Sequence, residues 1–349
     1  MRRIIIDTDT GSDDAWAIVE ALRAVQTVKV EAVTVVCGNF LLDLCVKNAL
    51  LAEEAAGTYL PPVFRGMERP LLERRLFCAE NVHGADGLGG INLPPSSRTA
   101  EPKHASQAII DLVMQNPGEI EIVTCGPLTN LAMAVLLEPA LAENVKCAWI
   151  LGGTADAVGN LTPAAEYNVG TDPEAAHIVL NSGMRAIWVT WDTARGSTEI
   201  TQEDVEALLG SGSEAARFCA LCTRALAKYY YQKYGRNTFG VIDSMVMTAA
   251  LYPEVMEECF PAECRIELAD AEHRGHFYVK RTETGTQSTD AYTGAETGTQ
   301  SVEADIRAEA KSGDVNACGK SKAEAALVRV CTRINAARYK EIMFSLLLT

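Results

Sequence analysis

The amino-acid sequence predicts an α/β fold, in which a mostly parallel sheet is flanked by helices within a single large domain spanning residues 1–349. Two patterns support this class. Apolar runs rich in β-branched residues alternate with runs whose apolar residues recur every three or four positions. The apolar runs are also nearly uninterrupted, as in strands that are covered on both faces. Strands and helices that alternate in this way favour a parallel sheet with helices on each side.

The elements follow one another in a regular order. The first run, RRIIID at residues 2–7, combines β-branched Ile with turn signals and predicts a strand. Further strands are expected at 30–36, 61–66, 120–126, 146–153, 186–192 and 326–331. Helical spacing begins with DDAWAIVEALRAV, and a later helix has Pro173 in its first turn and Gly183 at its end. Helices are expected at 13–25, 41–57, 106–118, 128–139, 173–183, 203–210, 213–235, 243–256 and 337–348.

The charge balance narrows the classes of partner. Lys and Arg total 31 against 46 Asp and Glu, so the formal net charge is −15. Because there is no basic surplus to neutralise phosphates, nucleic acid is not expected as a partner. No apolar stretch approaches the ~18–20 residues of a membrane span, and we do not expect the N-terminal region to be a signal peptide. The cysteines lack regular spacing and are expected to be reduced thiols, so we expect a cytoplasmic protein that does not bind membranes.

The segment at residues 283–323 departs from the pattern. Its sequence begins ETGTQSTDAYTGAETGTQS, in which the hexapeptide ETGTQS occurs twice. With almost no apolar residues, it cannot bury enough surface to offset the entropy of ordering. We therefore predict a flexible low-complexity insertion within the domain.

The strongest chemical signal is the acidic loop DTDTGSDD at residues 7–14, which follows the first strand and opens the first helix. In an open α/β sheet, ligands bind at the carboxyl ends of the strands. Asp13 and Asp14 are also ordinary residues for the first turn of a helix, but that role does not account for all four carboxylates. Adjacent carboxylates repel one another unless a cation, a proton or hydrogen-bond donors share them. Their oxygens suit a hard cation such as Ca²⁺ or Mg²⁺.

The acidic loop is also the first of six blocks that resemble the inosine–uridine-preferring nucleoside hydrolases. Its sequence DTDTGSDDAWA is similar to the family signature D-x-D-x-G-x-D-D-A. The remaining blocks follow in the family's order and are VVCGN ending at Asn39, NVHGADGLGG at 81–90, TCGPLTNLA at 124–132, LGG with GNLTPAAEYNVGTDPEAA at 159–176, and VIDSMVM around Asp243. The resemblance implies the nucleoside hydrolase fold with a Rossmann-like core.

By position, the resemblance implies a Ca²⁺ site. Asp9 and Asp14 would bind the ion through side-chain oxygens, and Asp243 would be the last protein ligand. The residue that precedes G-P-L-T-N would contribute its main-chain carbonyl, and here that residue is Cys125. Any side chain is tolerated at a position that binds through its backbone. Asp7 belongs to the same signature and would orient the loop from behind the ligands.

The resemblance also implies the reaction and the substrate contacts. A metal-bound water, deprotonated by Asp9 as general base, would attack the N-glycosidic bond of a purine or pyrimidine ribonucleoside and release free base and ribose. The expected ribose-binding residues are Asp13, Asn39, Asn160, Glu166 and Asn168. A sugar that lacks a hydroxyl would leave buried hydrogen-bonding groups of such a site unpaired. Ribonucleosides should therefore be preferred over 2′-deoxyribonucleosides. A role in nucleoside catabolism and salvage follows from that activity.

The residues expected to act on the nucleoside base depart from the family pattern. Many relatives have a His immediately before the last Asp, where it acts as the acid for the leaving group, but this chain has Ile242. Three alternatives stay open. His83 could face the base and protonate it, a tyrosine of the run at 229–234 could donate, or the base could be activated by aromatic stacking.

Two main functions therefore compete at this point. The first is a Ca²⁺-dependent ribonucleoside hydrolase, because every metal and ribose position is filled. The second is a nucleoside- or ribose-binding protein with little turnover, because the usual His before Asp243 is replaced by Ile242. A nitrophenyl riboside would distinguish them, since its leaving group needs no acid. The resemblance further implies a homodimer or homotetramer.

Overall fold

The structure is a computed structural model that describes residues 1–72, 78–194, 196–282 and 326–348. The predicted insertion at 283–323 lies outside the described residues. Among the helices that are described, none is long and apolar enough to cross a membrane.

A single mixed sheet is the centre of the described structure. Its strands are β1 (Arg2–Thr8), β2 (Val28–Val35), β3 (Val63–Arg65), β4 (Ile120–Thr124), β5 (Cys147–Leu151), β6 (Ala186–Val189), β7 (Met256–Ile266), β8 (Phe277–Arg281) and β9 (Ala326–Ile334). They are arranged in the order β3-β2-β1-β4-β5-β6-β9-β7-β8. In this spatial order, the first seven strands, from β3 to β9, are each parallel to their neighbours. Strand β7 then runs antiparallel to both β9 and β8. The predicted α/β class with a mostly parallel sheet is confirmed.

Helices cover the two faces of this sheet. They are α1 (Ser12–Arg23), α2 (Leu42–Ala56), α3 (Glu80–His83), α4 (Ala105–Gln115), α5 (Thr129–Leu137), α6 (Leu141–Asn144), α7 (Tyr167–Thr171), α8 (Pro173–Leu180), α9 (Gln202–Gly210), α10 (Glu214–Cys222), α11 (Arg224–Tyr234), α12 (Ile242–Leu251) and α13 (Ala336–Leu348). Side chains of β1 alternate between the faces, so Ile4 and Ile6 join one buried cluster with Trp16 of α1, whereas Ile5 joins the other with Leu131 of α5.

Two elements of the sheet differ from the sequence-based expectation. The hairpin β7–β8 was not predicted, because its first strand, MEECFPAECRI, is interrupted by three glutamates and Pro261 and does not form an apolar run. The expected strand at 186–192 ends at Val189, and Trp191 begins a short 3₁₀ turn.

The long helix expected at 213–235 is divided at Thr223 into α10 and α11.

A buried carboxyl group joins three of the helices. Glu20 of α1 has no exposed surface and accepts hydrogen bonds from Ser244 Oγ at 2.5 Å and Thr248 Oγ1 at 3.3 Å, both on α12. The hydroxyl of Tyr339 on α13 lies 2.8 Å from the same Ser244 Oγ. Burial raises the pKa of Glu20 to about 8. Helix α12 carries Asp243, so this network holds one of the predicted metal ligands relative to α1.

We predict that Glu20→Gln changes how stability depends on pH. The raised pKa means that folded wild type retains a proton that the unfolded chain loses near pH 4.5. Wild type should therefore lose stability relative to Glu20→Gln as pH increases from about 4.5 to about 8, by up to ~1.4 kcal/mol per pH unit. Urea unfolding at several pH values measures this difference. Glu143→Gln, on the exposed surface of α6, is the control. Equal slopes of the free energy of unfolding against pH for Glu20→Gln and wild type would contradict the prediction.

Candidate functional site

The acidic loop lies where the strand order reverses. Strand β1 has β2 on one side and β4 on the other, and Asp7 at its end is in register with Thr124 at the end of β4. In doubly wound sheets the crevice at such a point is where ligands bind, because the flanking loops diverge to opposite faces. The loop between β1 and α1 therefore presents its carboxylates in a crevice of the fold.

Asp9 is held at one oxygen only. The backbone N–H of Asn39 donates to Asp9 Oδ2 at 2.6 Å, whereas Oδ1 is buried without a hydrogen-bond partner. Two glycines make room for this carboxylate: a Cβ at Gly38 would lie 2.1 Å from Oδ2, and one at Gly126 would lie 2.8 Å from Oδ1. Asp9 thus keeps one buried oxygen without a hydrogen-bond partner.

Three other carboxylates meet beside Asp9. Ligand oxygens of Asp13, Asp14 and Asp243 lie within 4.8 Å of one another, and all three residues are buried. Asp14 accepts hydrogen bonds from Thr8 Oγ1 at 2.6 Å, from the Gly11 N–H at 2.8 Å and from Asn39 Nδ2 at 3.2 Å. Asp13 Oδ1 has no hydrogen-bond partner. We call Asp13, Asp14 and Asp243 the acidic triad.

Burial and repulsion raise the pKa of each carboxyl group here. The pKa of Asp9 lies well above its ordinary value because of burial and then the charge of Asp14. The pKa of Asp243 is raised in the same way by burial and by Asp13, and burial raises the pKa of Asp13 to about 6. An ion of charge +2 would remove this cost, and a donor set made only of oxygens suits a hard divalent cation.

Asp7 joins β1 to its neighbours through one carboxylate oxygen, while its Oδ2 is buried without a hydrogen-bond partner. Its Oδ1 accepts hydrogen bonds from Thr34 Oγ1 of β2 at 2.6 Å and from Asn130 Nδ2 of α5 at 2.8 Å. Burial raises its pKa to about 7. The predicted role of Asp7 in orienting the loop stays a prediction.

The predicted backbone ligand lies next to a predicted ribose residue. The carbonyl oxygen of Cys125, directly after β4, accepts a hydrogen bond from Asn168 Nδ2 at 2.8 Å. The same amide nitrogen lies 3.3 Å from the carbonyl oxygen of Leu151 at the end of β5. Asn168 therefore bridges the carboxyl ends of two adjacent strands.

Two more predicted ribose residues organise their own loop. Glu166 caps α7, and its carboxylate accepts the N–H groups of Asn168, Val169 and Gly153 at 2.9–3.1 Å. Asn160 Oδ1 accepts the N–H of Tyr167 at 2.8 Å. Both side chains lie in the stretch that follows β5, which we call the ribose loop (residues 153–170).

The unpredicted hairpin β7–β8 packs against the ribose loop. Phe277 of β8 fills the space next to Gly153, where a Cβ would lie 2.4 Å from its ring, and stacks on Trp188 at 4.8 Å. His276 Nδ1 lies 2.7 Å from the carbonyl oxygen of Ala164. Asp192, after β6, accepts three N–H groups of residues 155–157 at 2.8–2.9 Å. Segments distant in sequence therefore fix the ribose loop.

His83 lies beside the acidic loop. Its Nδ1 accepts the N–H of Ser12 at 3.3 Å and is 2.8 Å from Ser12 Oγ. Burial lowers its pKa to about 4, so the ring is neutral at pH 7, and because Nδ1 accepts, the ring proton is on Nε2. His83 Nδ1 lies 3.6 Å from Asp13 Oδ1, and the ring of Phe40 packs edge-on at 6.3 Å.

The alternative proton donors occupy different environments. Ile242 is buried at the start of α12, directly before Asp243. Tyr230 is buried and hydrogen-bonded to the Gly240 backbone, and burial raises its pKa. Tyr231 and Tyr234 are 62% and 46% exposed on α11. None of these contacts selects one donor, and the three alternatives of the sequence analysis stay open.

Sequence reasoning missed several residues that hold the carboxylates in place. Thr8, Ser12, Thr34, Asn130 and Tyr167 all contact predicted site residues or the peptide beside Asp9. The signal for Asn130 was present in the TCGPLTNLA block, whereas Thr34 is one of many strand threonines and could not be singled out. The assignments of Asp9, Asp14, Cys125 and Asp243 to a metal and of Asp13, Asn39, Asn160, Glu166 and Asn168 to ribose stay predictions.

The geometry defines an α/β protein with an oxygen-rich acidic crevice at the reversal point of its sheet. The family described as inosine-uridine preferring nucleoside hydrolase matches residues 4–341. A probable uridine nucleosidase 1 of Oryza sativa subsp. japonica is 37% identical over 253 residues, 72% of this chain and 77% of that protein. The inosine-uridine preferring nucleoside hydrolase of Leishmania major is 37% identical over 270 residues, 73% of this chain and 83% of that protein.

The fold agrees with these sequence matches. A plant nucleoside hydrolase, the PpNRh1 enzyme, superimposes with a TM-score of 0.83 at 30% identity and covers 100% of this chain and 99% of its own. The chain belongs to the inosine-uridine preferring nucleoside hydrolase family. By family it is an enzyme, a nucleoside hydrolase, as the sequence blocks indicated.

We predict that a divalent cation stabilises the protein through the acidic triad. The free energy of unfolding of wild type should increase by about 2.7 kcal/mol when the free cation is at one hundred times its dissociation constant. Asp243→Asn removes one of the repelling charges, so it should melt higher than wild type without cation yet gain almost nothing when cation is added. Thermal melts with and without Ca²⁺ measure both effects. Asp111→Asn, on α4, should behave as wild type, and an undiminished gain in Asp243→Asn would exclude Asp243 as a ligand.

Proposed function

We propose that this protein hydrolyses the N-glycosidic bond of ribonucleosides with Ca²⁺ as cofactor and releases free base and ribose. One observation carries the proposal: Asp9 has one carboxylate oxygen fixed by the Asn39 N–H and a second buried oxygen without a partner, and the charge of Asp14 in the acidic triad is near enough to raise the pKa of Asp9. A fixed base next to a cation site is the arrangement that hydrolysis by water requires.

The proposed Ca²⁺ ligands are Asp9, Asp14, Asp243 and the carbonyl oxygen of Cys125. Asp13 belongs to the same triad and would bind either the ion or a ribose hydroxyl. When bound, the ion would act as a Lewis acid that lowers the pKa of a coordinated water. The buried, mutually repelling carboxylates of this chain support the choice of a hard cation.

The side chains around Asp9 would control where the reaction takes place. Asp9 Oδ1, the oxygen without a partner, would accept the proton of the attacking water, while Oδ2 stays bonded to the Asn39 N–H. As the bond to the base breaks, the ribose becomes cationic, and the carboxylates around it stabilise that charge. Burial of the crevice limits access of bulk water.

The proposed ribose contacts are Asp13, Asn39, Asn160, Glu166 and Asn168. Asn168 bridges β4 and β5, and the ribose loop is held by the β7–β8 hairpin, so these groups are positioned by rigid parts of the sheet. A sugar that lacks a hydroxyl would leave some of these buried groups unpaired, which disfavours 2′-deoxyribonucleosides.

The second candidate function is a nucleoside- or ribose-binding protein with little turnover. The observation that favours it is Ile242, an apolar buried side chain at the position where many relatives carry the acid. In this alternative the cation and ribose sites would be intact and only departure of the base would be slow.

Three further properties belong to the proposal. The base preference covers purines, pyrimidines or both, and the names of the relatives include uridine and inosine-uridine. A homodimer or homotetramer and a cytoplasmic location are expected from the sequence analysis. The extent of the domain, residues 1–349 with an insertion at 283–323, also stays a prediction.

We predict Ca²⁺-dependent release of base from at least one of inosine, uridine, cytidine, adenosine and guanosine. Asp9→Ala should reduce kcat by about 10²–10⁴-fold, because general-base catalysis contributes that much, and 2′-deoxyuridine should react far more slowly than uridine. Chromatography of the released base measures both. Asp111→Ala is the matched control. Cleavage of nitrophenyl riboside alone would support the binding protein, and calcium binding without any turnover would reject the hydrolase.

His83 is the first of the three open alternatives to test: if it donates to the base, its loss should depend on the leaving group. His83→Ala should lower kcat for a natural nucleoside by about 10²-fold or more, the contribution of a general acid or donor, and leave nitrophenyl riboside nearly unaffected. The ratio of the two rates is the measurement. Equal losses on both substrates would show that His83 only supports the Ser12 turn, and the tyrosines of α11 would then be tested in the same way.

A further inference from the structure

Tyr167 contacts a peptide that lies far from it in sequence. It is the first residue of α7, directly after Glu166, and its hydroxyl donates to the carbonyl oxygen of Gly38 at 3.0 Å. Gly38 follows β2, on the other side of the crevice from the ribose loop. The hydrogen bond therefore connects the two sides of the site.

The same peptide unit also binds Asp9. The carbonyl of Gly38 and the N–H of Asn39 are the two ends of one peptide group, and that N–H donates to Asp9 Oδ2 at 2.6 Å. The peptide is close to the carboxylate because residue 38 is glycine, since a Cβ there would lie 2.1 Å from Oδ2 and 2.8 Å from Pro127 Cδ. Tyr167, the peptide and Asp9 thus form a continuous chain of hydrogen bonds.

Hydrogen bonds in such a chain reinforce one another. A hydroxyl that donates to a peptide carbonyl increases the polarisation of the group, and its N–H becomes a stronger donor. The contact also fixes the plane of the peptide, which otherwise can rotate about the flexible backbone of a glycine. Asp9 Oδ2 is the recipient, and Oδ1 is the oxygen left for the reaction.

We propose that Tyr167 is a positioning residue that holds and polarises the Gly38–Asn39 peptide, and thereby fixes the carboxylate of Asp9 with Oδ1 directed into the site. The consequence for catalysis rests on the proposed role of Asp9 as the base. The hydrogen-bond relay itself does not depend on that role and can be tested separately.

A purely structural role is the competing explanation. A buried carbonyl needs a partner, and Tyr167 could simply satisfy Gly38. The two explanations differ at Asn39: only the relay transmits the loss of the hydroxyl to the Asn39 N–H. Tyr167→Phe removes that one oxygen and keeps the ring. Tyr59→Phe is the matched control, because the Tyr59 hydroxyl also contacts the backbone, at the Val30 N–H and 2.6 Å away.

The direct test is the chemical shift of the Asn39 amide in the metal-free protein. Labelling with ¹³C-carbonyl glycine and ¹⁵N-asparagine selects Gly–Asn pairs, and the chain contains two, Gly38–Asn39 and Gly159–Asn160. Two signals are therefore expected in a carbonyl-edited spectrum. In Tyr167→Phe the Asn39 proton should move upfield, because its hydrogen bond is weakened, while the Asn160 signal serves as an internal reference for general rearrangement of the ribose loop.

A graded variant makes the test independent of that single substitution. Placing 3-fluorotyrosine at position 167 makes the phenol a stronger donor, so the Asn39 proton should move downfield, opposite to Tyr167→Phe. Opposite displacements of Asn39, with Asn160 nearly constant and Tyr59→Phe unchanged, support the relay. An Asn39 signal that does not move, or that moves together with Asn160 in one direction in both variants, overturns it.

Kinetics then test the catalytic consequence. Tyr167→Phe should lower kcat about three- to tenfold, the effect of one hydrogen bond, with KM for the nucleoside changed less than about twofold. An increase in KM without loss of kcat would contradict positioning of Asp9. If no nucleoside were hydrolysed, the proposed function would fail, but the amide shifts would still decide the relay.

Discussion

Five aspartates share one buried crevice, and each of them as an anion is more stable in water than inside a protein. One oxygen of Asp7 is paired with neutral donors of β2 and α5, whereas ligand oxygens of the acidic triad lie within 4.8 Å of one another and the charge of Asp14 also acts on Asp9. This cost explains the raised pKa values at the site and the expected gain from a cation. The crevice, the glycines and the capping contacts are all arranged so that the repulsion can be tolerated.

Backbone N–H groups bind and orient carboxylates of this site. The N–H groups of Gly11 and Asn39 bind Asp14 and Asp9, and glycine at position 38 lets a peptide approach a carboxylate that any side chain would displace. Peptide groups carry no net charge and are fixed by the strands and helices that precede them, so they can orient anions without neutralising them. The relay that we propose from Tyr167 uses one such peptide to connect the two sides of the crevice.

The proposed sugar side and the proposed base side of the crevice are built differently. Asn168 and the ribose loop are tied to strand ends and to the β7–β8 hairpin, which leaves those groups little freedom. On the other side, a neutral His83, buried Ile242 and the partly exposed tyrosines of α11 offer few charged groups. In the proposed mechanism, the cation and ribose contacts would therefore be held independently of the leaving group, which is why a nitrophenyl riboside separates the two candidate functions.

The sequence by itself determined the α/β class, most of the strand positions, the acidic loop and the family, because these depend on local periodicity and on residues that are adjacent in the chain. Tertiary structure alone decided the rest. Strand β7 was missed because its glutamates and Pro261 do not form an apolar run, and its pairing with β9 crosses a long sequence separation. Likewise, Tyr167 meets the Gly38 peptide 129 residues away. The family resemblance already grouped Asp243 with Asp14, but the contact of Asp243 with Asp13 and Asp14 forms only when α12 packs on α1. Contacts of this kind depend on how elements pack, and no local pattern encodes them.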